Sequence, residues 1–197
     1  MLPSRLEAEK ELEVAGQLNP GPWVQHSLNT GRAAQCIAEK CEGLEPEKAY
    51  VLGILHDIGR RVGIVTVEHV YEGYQYTMSK GWDEVAQVCM THSYPIKNRD
   101  FDDQLDKEEE VFIKSYINKC TYDDYDKLIQ LCDSLAVPHG FCLLEKRFVD
   151  VVRRYGFWNT TIERWNKTFE IKDYFEKKIG CSIYDILEDI KETTFID

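Results

Sequence analysis

Apolar residues recur at helical spacing along almost the whole chain, whereas runs that alternate apolar with polar side chains are scarce. This one pattern excludes a sheet-based core and predicts an all-α helical bundle without convincing β-hairpins. A short N-terminal helix breaks at Asn19-Pro20-Gly21-Pro22, and a long helix follows with Trp23, Val24, Leu28, Ala34, Ile37 and Cys41 as its buried stripe, ending near Gly43. Pro46 opens the next helix, which carries Ala49, Tyr50, Leu52, Gly53 and Ile54 into His56-Asp57 before Gly59 stops it. The His-Asp pair is thereby expected at a buried helix end.

Helices are predicted from Glu68 to Lys80 and from Asp83 to His92, separated by Gly81. Two more are predicted from Glu108 to Lys119 and from Tyr122 to Val137, the second punctuated by Pro138-His139-Gly140. The region 143–197 reads as two or three amphipathic helices, with Trp158, Trp165, Phe169, Tyr174 and Phe175 as packing anchors. With 197 residues and no linker or repeat, the expectation is a single domain over 1–197, its core at about 22–137 and a helical extension at 143–197.

The net charge of −11 argues against long nucleic acid, which needs clustered Lys and Arg to displace counterions. Small phosphorylated ligands stay compatible with it, because a bound cation supplies positive charge locally. Part of the excess lies in Asp100 to Glu110, where seven acids face the single Lys107 in a solvated loop leading into a helix start. Seven cysteines without a CxxC pair indicate neither a disulfide framework nor a zinc ribbon. No apolar run approaches the length of a membrane span and the N-terminus is too charged for a signal peptide, so a cytoplasmic protein is expected.

Four of the five histidines, His26, His56, His69 and His92, fall in the first half, each in or beside a predicted helix. Any one alone reads first as a hydrogen-bonded core residue. Together with Asp57, adjacent to His56, and with Asp133 in the apolar context LIQLCDSLAV, they form a set that a metal would explain, since an unpaired buried carboxylate is costly. Asp133 also permits a solvent-facing or salt-bridged reading. Asp123, Asp124 and Asp126 lie in the polar stretch YDDYDK and read as helix-start acids.

The order His26, then His56-Asp57 within GILHDIGR, then Asp133, resembles the HD superfamily of metal-dependent phosphohydrolases over roughly 23–137. His69 and His92 make it similar to the binuclear branch, closest to the YqeK-like diadenosine-tetraphosphate hydrolases through HSLNTGRAAQCIAEK; the GYP signature of the cyclic-dinucleotide enzymes is absent. The resemblance implies an HD-domain helical bundle that holds one or two divalent transition-metal ions. His26, His56, Asp57 and Asp133 would bind one, and Asp57, as a bridge, would bind the other with His69 and His92. Mixed imidazole and carboxylate ligands suit Fe, Mn, Zn, Ni or Co. A metal-activated hydroxide would then attack phosphorus.

Asp57 and Arg60 are the expected catalytic residues, and Arg32, Arg60, Lys97 and Arg99 the candidate phosphate-binding cations. Each of these cations has the alternative of a solvated helix-end charge. Asn29 and Thr30 either orient a ligand or cap and pack. His139 reads as a surface turn, and Tyr155, Phe157, Trp158 and Trp165 as core aromatics rather than a base platform. The implied partner is a small phosphorylated substrate, best sought among nucleotides, with homodimerisation left open. Competing readings are a non-catalytic metal- or ligand-binding module and a di-iron oxygenase.

Overall fold

The computed structural model describes residues 1–63, 67–97 and 106–196. Helix α1 (Arg5–Leu18) starts at a capping box in which Ser4 and Glu7 satisfy each other's backbone N–H groups. It buries Ala8, Leu12 and Ala15, one residue per turn. Helices α2 (Trp23–Ala38) and α3 (Pro46–Leu55) make the most extensive helix–helix contact in the molecule. Their closeness has a local cause. A Cβ on Gly53 would stand 2.6 Å from the Cα of Gly31, and one on Gly31 would stand 2.4 Å from Ile54 Cγ2, so only two glycines let these backbones touch.

After α3 the chain tightens into a 3₁₀ turn (Ile58–Val62) that lies against α4 (Glu68–Ser79). A Cβ on Gly59 would stand 2.0 Å from the carbonyl oxygen of His69. Helix α5 (Asp83–Thr91) returns antiparallel to α4 after Gly81, whose φ of 73° turns the corner. Helices α6 (Lys107–Lys119) and α7 (Asp124–Leu135) follow, α7 opening on a capping box between Asp123 and Asp126.

The sequence expectation of helix through Val137 and no hairpin is corrected here. Helix α7 stops at Leu135, and β1 (Ala136–Val137) pairs antiparallel with β2 (Gly140–Phe141) around Pro138-His139. Strands of two residues are too short to show alternation. Helices α8 (Leu144–Tyr155), α9 (Thr161–Ile179) and α10 (Ile190–Thr194), with a 3₁₀ turn (Ile183–Asp185), complete the all-α bundle.

Most buried side chains form one core over α1–α3, α5, α7 and the C-terminal helices. A smaller cluster of Val70, Met90, Tyr94, Ile113 and Ile117 seats α6. Phe175 is fully buried and Trp165 and Phe169 pack against the main core, but Trp158 and Tyr174 are largely exposed, contrary to their reading as anchors. Cys41, Cys89, Cys132 and Cys142 are buried thiols, and no disulfide links the described residues. None of the described helices is long and apolar enough to cross a membrane.

Candidate metal centre

Five helix ends deliver the polar cluster. His26 comes from the first turn of α2, His56 and Asp57 from the end of α3, His69 from the start of α4, His92 from the end of α5 and Asp133 from the last turn of α7. All four imidazoles and Asp57 are buried, and His56 is wholly inaccessible.

Backbone carbonyls aim the rings. His26 Nδ1 lies 3.2 Å from Ala136 O, His56 Nδ1 2.7 Å from Gly53 O and His92 Nδ1 3.1 Å from Val88 O. A carbonyl can only accept, so each Nδ1 carries the proton, and in the neutral ring the lone pair sits on Nε2. Those Nε2 atoms point at one another and at two carboxylates. His26 Nε2 is 2.9 Å from Asp133 Oδ1, and His56 Nε2 is 3.5 Å from the same oxygen and 3.8 Å from Asp57 Oδ2. Asp57 Oδ1 faces His69 Nε2 at 3.1 Å and His92 Nε2 at 3.6 Å, and the two Nε2 atoms are 3.1 Å apart.

Neighbouring donors around one ion with bonds of about 2.1 Å stand roughly 3.0 to 3.4 Å apart. The observed separations fall around that range. Three overlapping groups, His26/His56/Asp57, Asp57/His69/His92 and His56/His92/Asp133, each keep their donor atoms within 4.8 Å. Asp57 belongs to the first two and divides its oxygens between them, as a bridging carboxylate does.

The fit to a cation rests on an orphan. His56 Nε2 is buried without a hydrogen-bond partner although two carboxylates face it. An unpartnered buried acceptor is rare and costs roughly 1–3 kcal/mol. His26 has the related conflict that both ring nitrogens face acceptors, Ala136 O and Asp133 Oδ1, and a neutral ring can donate to only one. A cation among these atoms removes both problems.

The electrostatics favour ionised carboxylates. Burial opposes charge on Asp57, but Arg60, His56 and His69 outweigh it and hold the carboxyl well below the usual range. For Asp133 burial is likewise overcome, by His26 and His56. Burial lowers the pKa of His69 against the pull of Asp57. Deprotonated ligands are what metal binding requires. Arg60, whose pKa burial lowers but Asp57 raises overall, places Nε 2.6 Å from Asp57 Oδ2.

Asp133 departs from the fully buried reading. Its side chain is 27% exposed and opens onto a cleft beside the cluster. Arg32 is exposed on α2, where its guanidinium leans toward Asn29, and it does not line that cleft. Lys97 gives its ammonium to Cys120 O at 2.5 Å and lies over the Tyr122 ring, at the α6–α7 junction. Neither lines the cleft, and each is engaged by a nearer partner. Arg99 lies outside the described residues.

Asn29 and Thr30 turn out to pack. Asn29 Nδ2 donates to Val137 O at 2.7 Å, pinning α2 to the hairpin, and Thr30 Oγ1 donates to His26 O. His139 is exposed, with Nε2 3.1 Å from Thr193 O.

Asp126 is the helix-start acid that the sequence predicts, but its burial was not foreseen. It is a capping acid, but it is also wholly buried, accepting from Thr91 Oγ1 at 2.6 Å, Gln87 Nε2 at 2.7 Å and Asp123 N at 2.9 Å. Gln130 Nε2 adds a bond to Thr91 O at 3.0 Å. These bonds stitch the end of α5, where His92 stands, to α7, which bears Asp133. The signal was the pair Ile129 and Gln130, three and four residues on along the same face of the helix.

Residues 8–92 match the family model of the HDOD domain. The matched stretch is less than half of the chain; that model describes an HD-related family, and the stretch contains His26, His56, Asp57, His69 and His92, but not Asp133. No curated protein and no solved structure matches the chain. The HDOD match and the His/Asp cluster together support an HD-related domain with a cluster able to hold metal.

Proposed function

We propose that the chain is a metal-dependent phosphohydrolase acting on a small phosphorylated substrate, a nucleotide first among the classes to test. The observation that carries this reading is the orphaned His56 Nε2 between two ionised carboxylates, within a set of six donors divided into two groups by Asp57. His26, His56, Asp57 and Asp133 would hold one divalent transition metal, and Asp57, His69 and His92 a second. Bound there, such an ion polarises a phosphoryl oxygen and lowers the pKa of water toward neutrality.

The chain's own residues do the rest. Backbone carbonyls of Gly53, Val88 and Ala136 fix the imidazole orientations, and Arg60 fixes Asp57 through its Nε. The buried wall formed by α2, α3 and α5 keeps bulk water from the imidazole side, so that a substrate enters where Asp133 opens to the cleft.

The test is elemental analysis of purified wild type, His69→Ala and Asp133→Asn, with each offered mononucleotides, cyclic nucleotides and diadenosine tetraphosphate, the substrate of the YqeK-like type. One to two Fe, Mn, Zn, Ni or Co ions per chain, reduced in both variants, with cleavage of a panel member, is the expected result. Full metal occupancy without cleavage of any member would leave a non-catalytic metal-binding module. A wild type that takes up no metal after reconstitution would overturn the reading.

A further inference from the structure

A cleft beside the cluster extends beyond the matched family segment. It is about 130 Å³ in volume and joins His92 and Asp133 of the cluster to side chains from α8 and α9. Arg147, one turn into α8, has no hydrogen-bond or ion-pair partner for its guanidinium among the described residues. Arg164, on α9, donates from Nη2 to Ser93 O at 3.3 Å, directly beside His92. Among the described lining residues two guanidinium groups stand against one carboxylate, that of Asp133, in a chain of net charge −11.

The remaining wall is aromatic. Trp165 stacks on Phe148 with centroids 5.4 Å apart and planes 5° from parallel, which fixes its orientation. Trp158 lines the same cleft while remaining 38% exposed, an indole at the mouth rather than in the core. A cavity of roughly 150 Å³ accepts benzene, so the cleft is on the scale of one planar ring.

We infer that α8 and α9 build the substrate pocket of this centre: Arg147 and Arg164 bind the phosphoryl group presented to the cluster, and Trp158 with Trp165 takes one planar ring of the same molecule. The inference rests on the hydrolase reading for the reaction, but the pocket's ligand class, a phosphate ester bearing a single enclosed ring, follows from the cleft itself. Guanidinium groups suit phosphate through paired N–H donors, and an aromatic face stacks on a planar ring.

Calorimetric titration with methylphosphonate and with the non-hydrolysable phosphonate analogue of AMP tests it by binding alone. Wild type is expected to bind the AMP analogue at least tenfold more tightly than methylphosphonate. Arg147→Gln should weaken both at least tenfold, with Arg147→Lys recovering part of the loss, and Trp158→Ala should reduce the preference for the AMP analogue to less than threefold. Metal content of each variant, measured alongside, should equal that of wild type. Undiminished binding of both ligands by a folded Arg147→Gln protein would overturn the pocket even if the metal centre hydrolyses phosphate esters. Absence of metal from wild type would instead strike the hydrolase reading, and the same titrations would still decide the cleft.

Discussion

The cluster-bearing region through Phe141 and the region from Leu143 onward are both helical, yet they solve different problems. In the first, polar groups are buried and each is held from behind: His56 by Gly53 O, His92 by Val88 O, His26 by Ala136 O, Asp57 by Arg60. In the second, Tyr155, Phe157 and Ile162 are exposed, and most ion pairs are surface pairs within one helix, such as Lys146–Asp150, with Lys178–Asp124 reaching across to α7. The first region orients its donor atoms through backbone and side-chain partners, whereas the second supplies walls to the cleft. Chemistry tolerates little displacement of the former, and substrate choice can vary through the latter.

The sharpest way to break this contrast is at the backbone seam. Gly59→Ala drives a Cβ into the carbonyl of His69, and the expected loss is about 3 kcal/mol or more, with His69 displaced from Asp57. Urea melts and metal content check it; a variant as stable as wild type would show that the 3₁₀ turn yields freely. Next, His56→Ala should lower metal affinity at least 100-fold, about 2.7 kcal/mol, read by competition with a chelating dye. Retained affinity would mean that the orphaned Nε2 faces no ion.

Asp126→Ala should cost about 2 kcal/mol, because Thr91 and Gln87 lose a shared acceptor. It should also weaken metal binding through His92, although Asp126 is no ligand. Stability without any change in metal affinity would confine the strut to folding.

The smallest effect is expected at the seam between the two regions. Burial raises the pKa of Asp124, but hydrogen bonds from Lys178, Tyr174 and Lys127 prevail and bring it from the ordinary 3.8 to about 2. A depressed folded pKa contributes stability above the unfolded value and loses it as pH falls through the folded one. Asp124→Asn should therefore cost about 1 kcal/mol at about pH 6, with the gap to wild type closing toward pH 2. A gap that persists at acid pH would assign the loss to packing.

How much of this was legible in the sequence differs by residue for physical reasons. The placement of His56-Asp57 at a buried helix end followed from Pro46 at one end of the apolar run and Gly59 at the other. Helix boundaries for α4, α5 and α6 fell within about a residue of the structure because Gly81 and the acidic start of α6 punctuate them. Asp126 was opaque, since a capping acid and a buried strut have the same local sequence. Lys97 was misplaced because its acceptor, Cys120 O, lies 23 residues away. Arg147 left no trace as a motif, for its meaning depends on α8 packing beside α7.

The glycine contact between α2 and α3 has a thermodynamic consequence. Because Gly31 and Gly53 bring His26 and His56 together through hydrocarbon and backbone contacts, the donors need little ordering when an ion arrives. Uptake should then proceed with a small heat-capacity change, unlike metal-driven folding of a small domain. A cage aimed in advance but assembled from common imidazoles and carboxylates would follow the general affinity order of the divalent ions, so that the metal it held would depend on cellular supply.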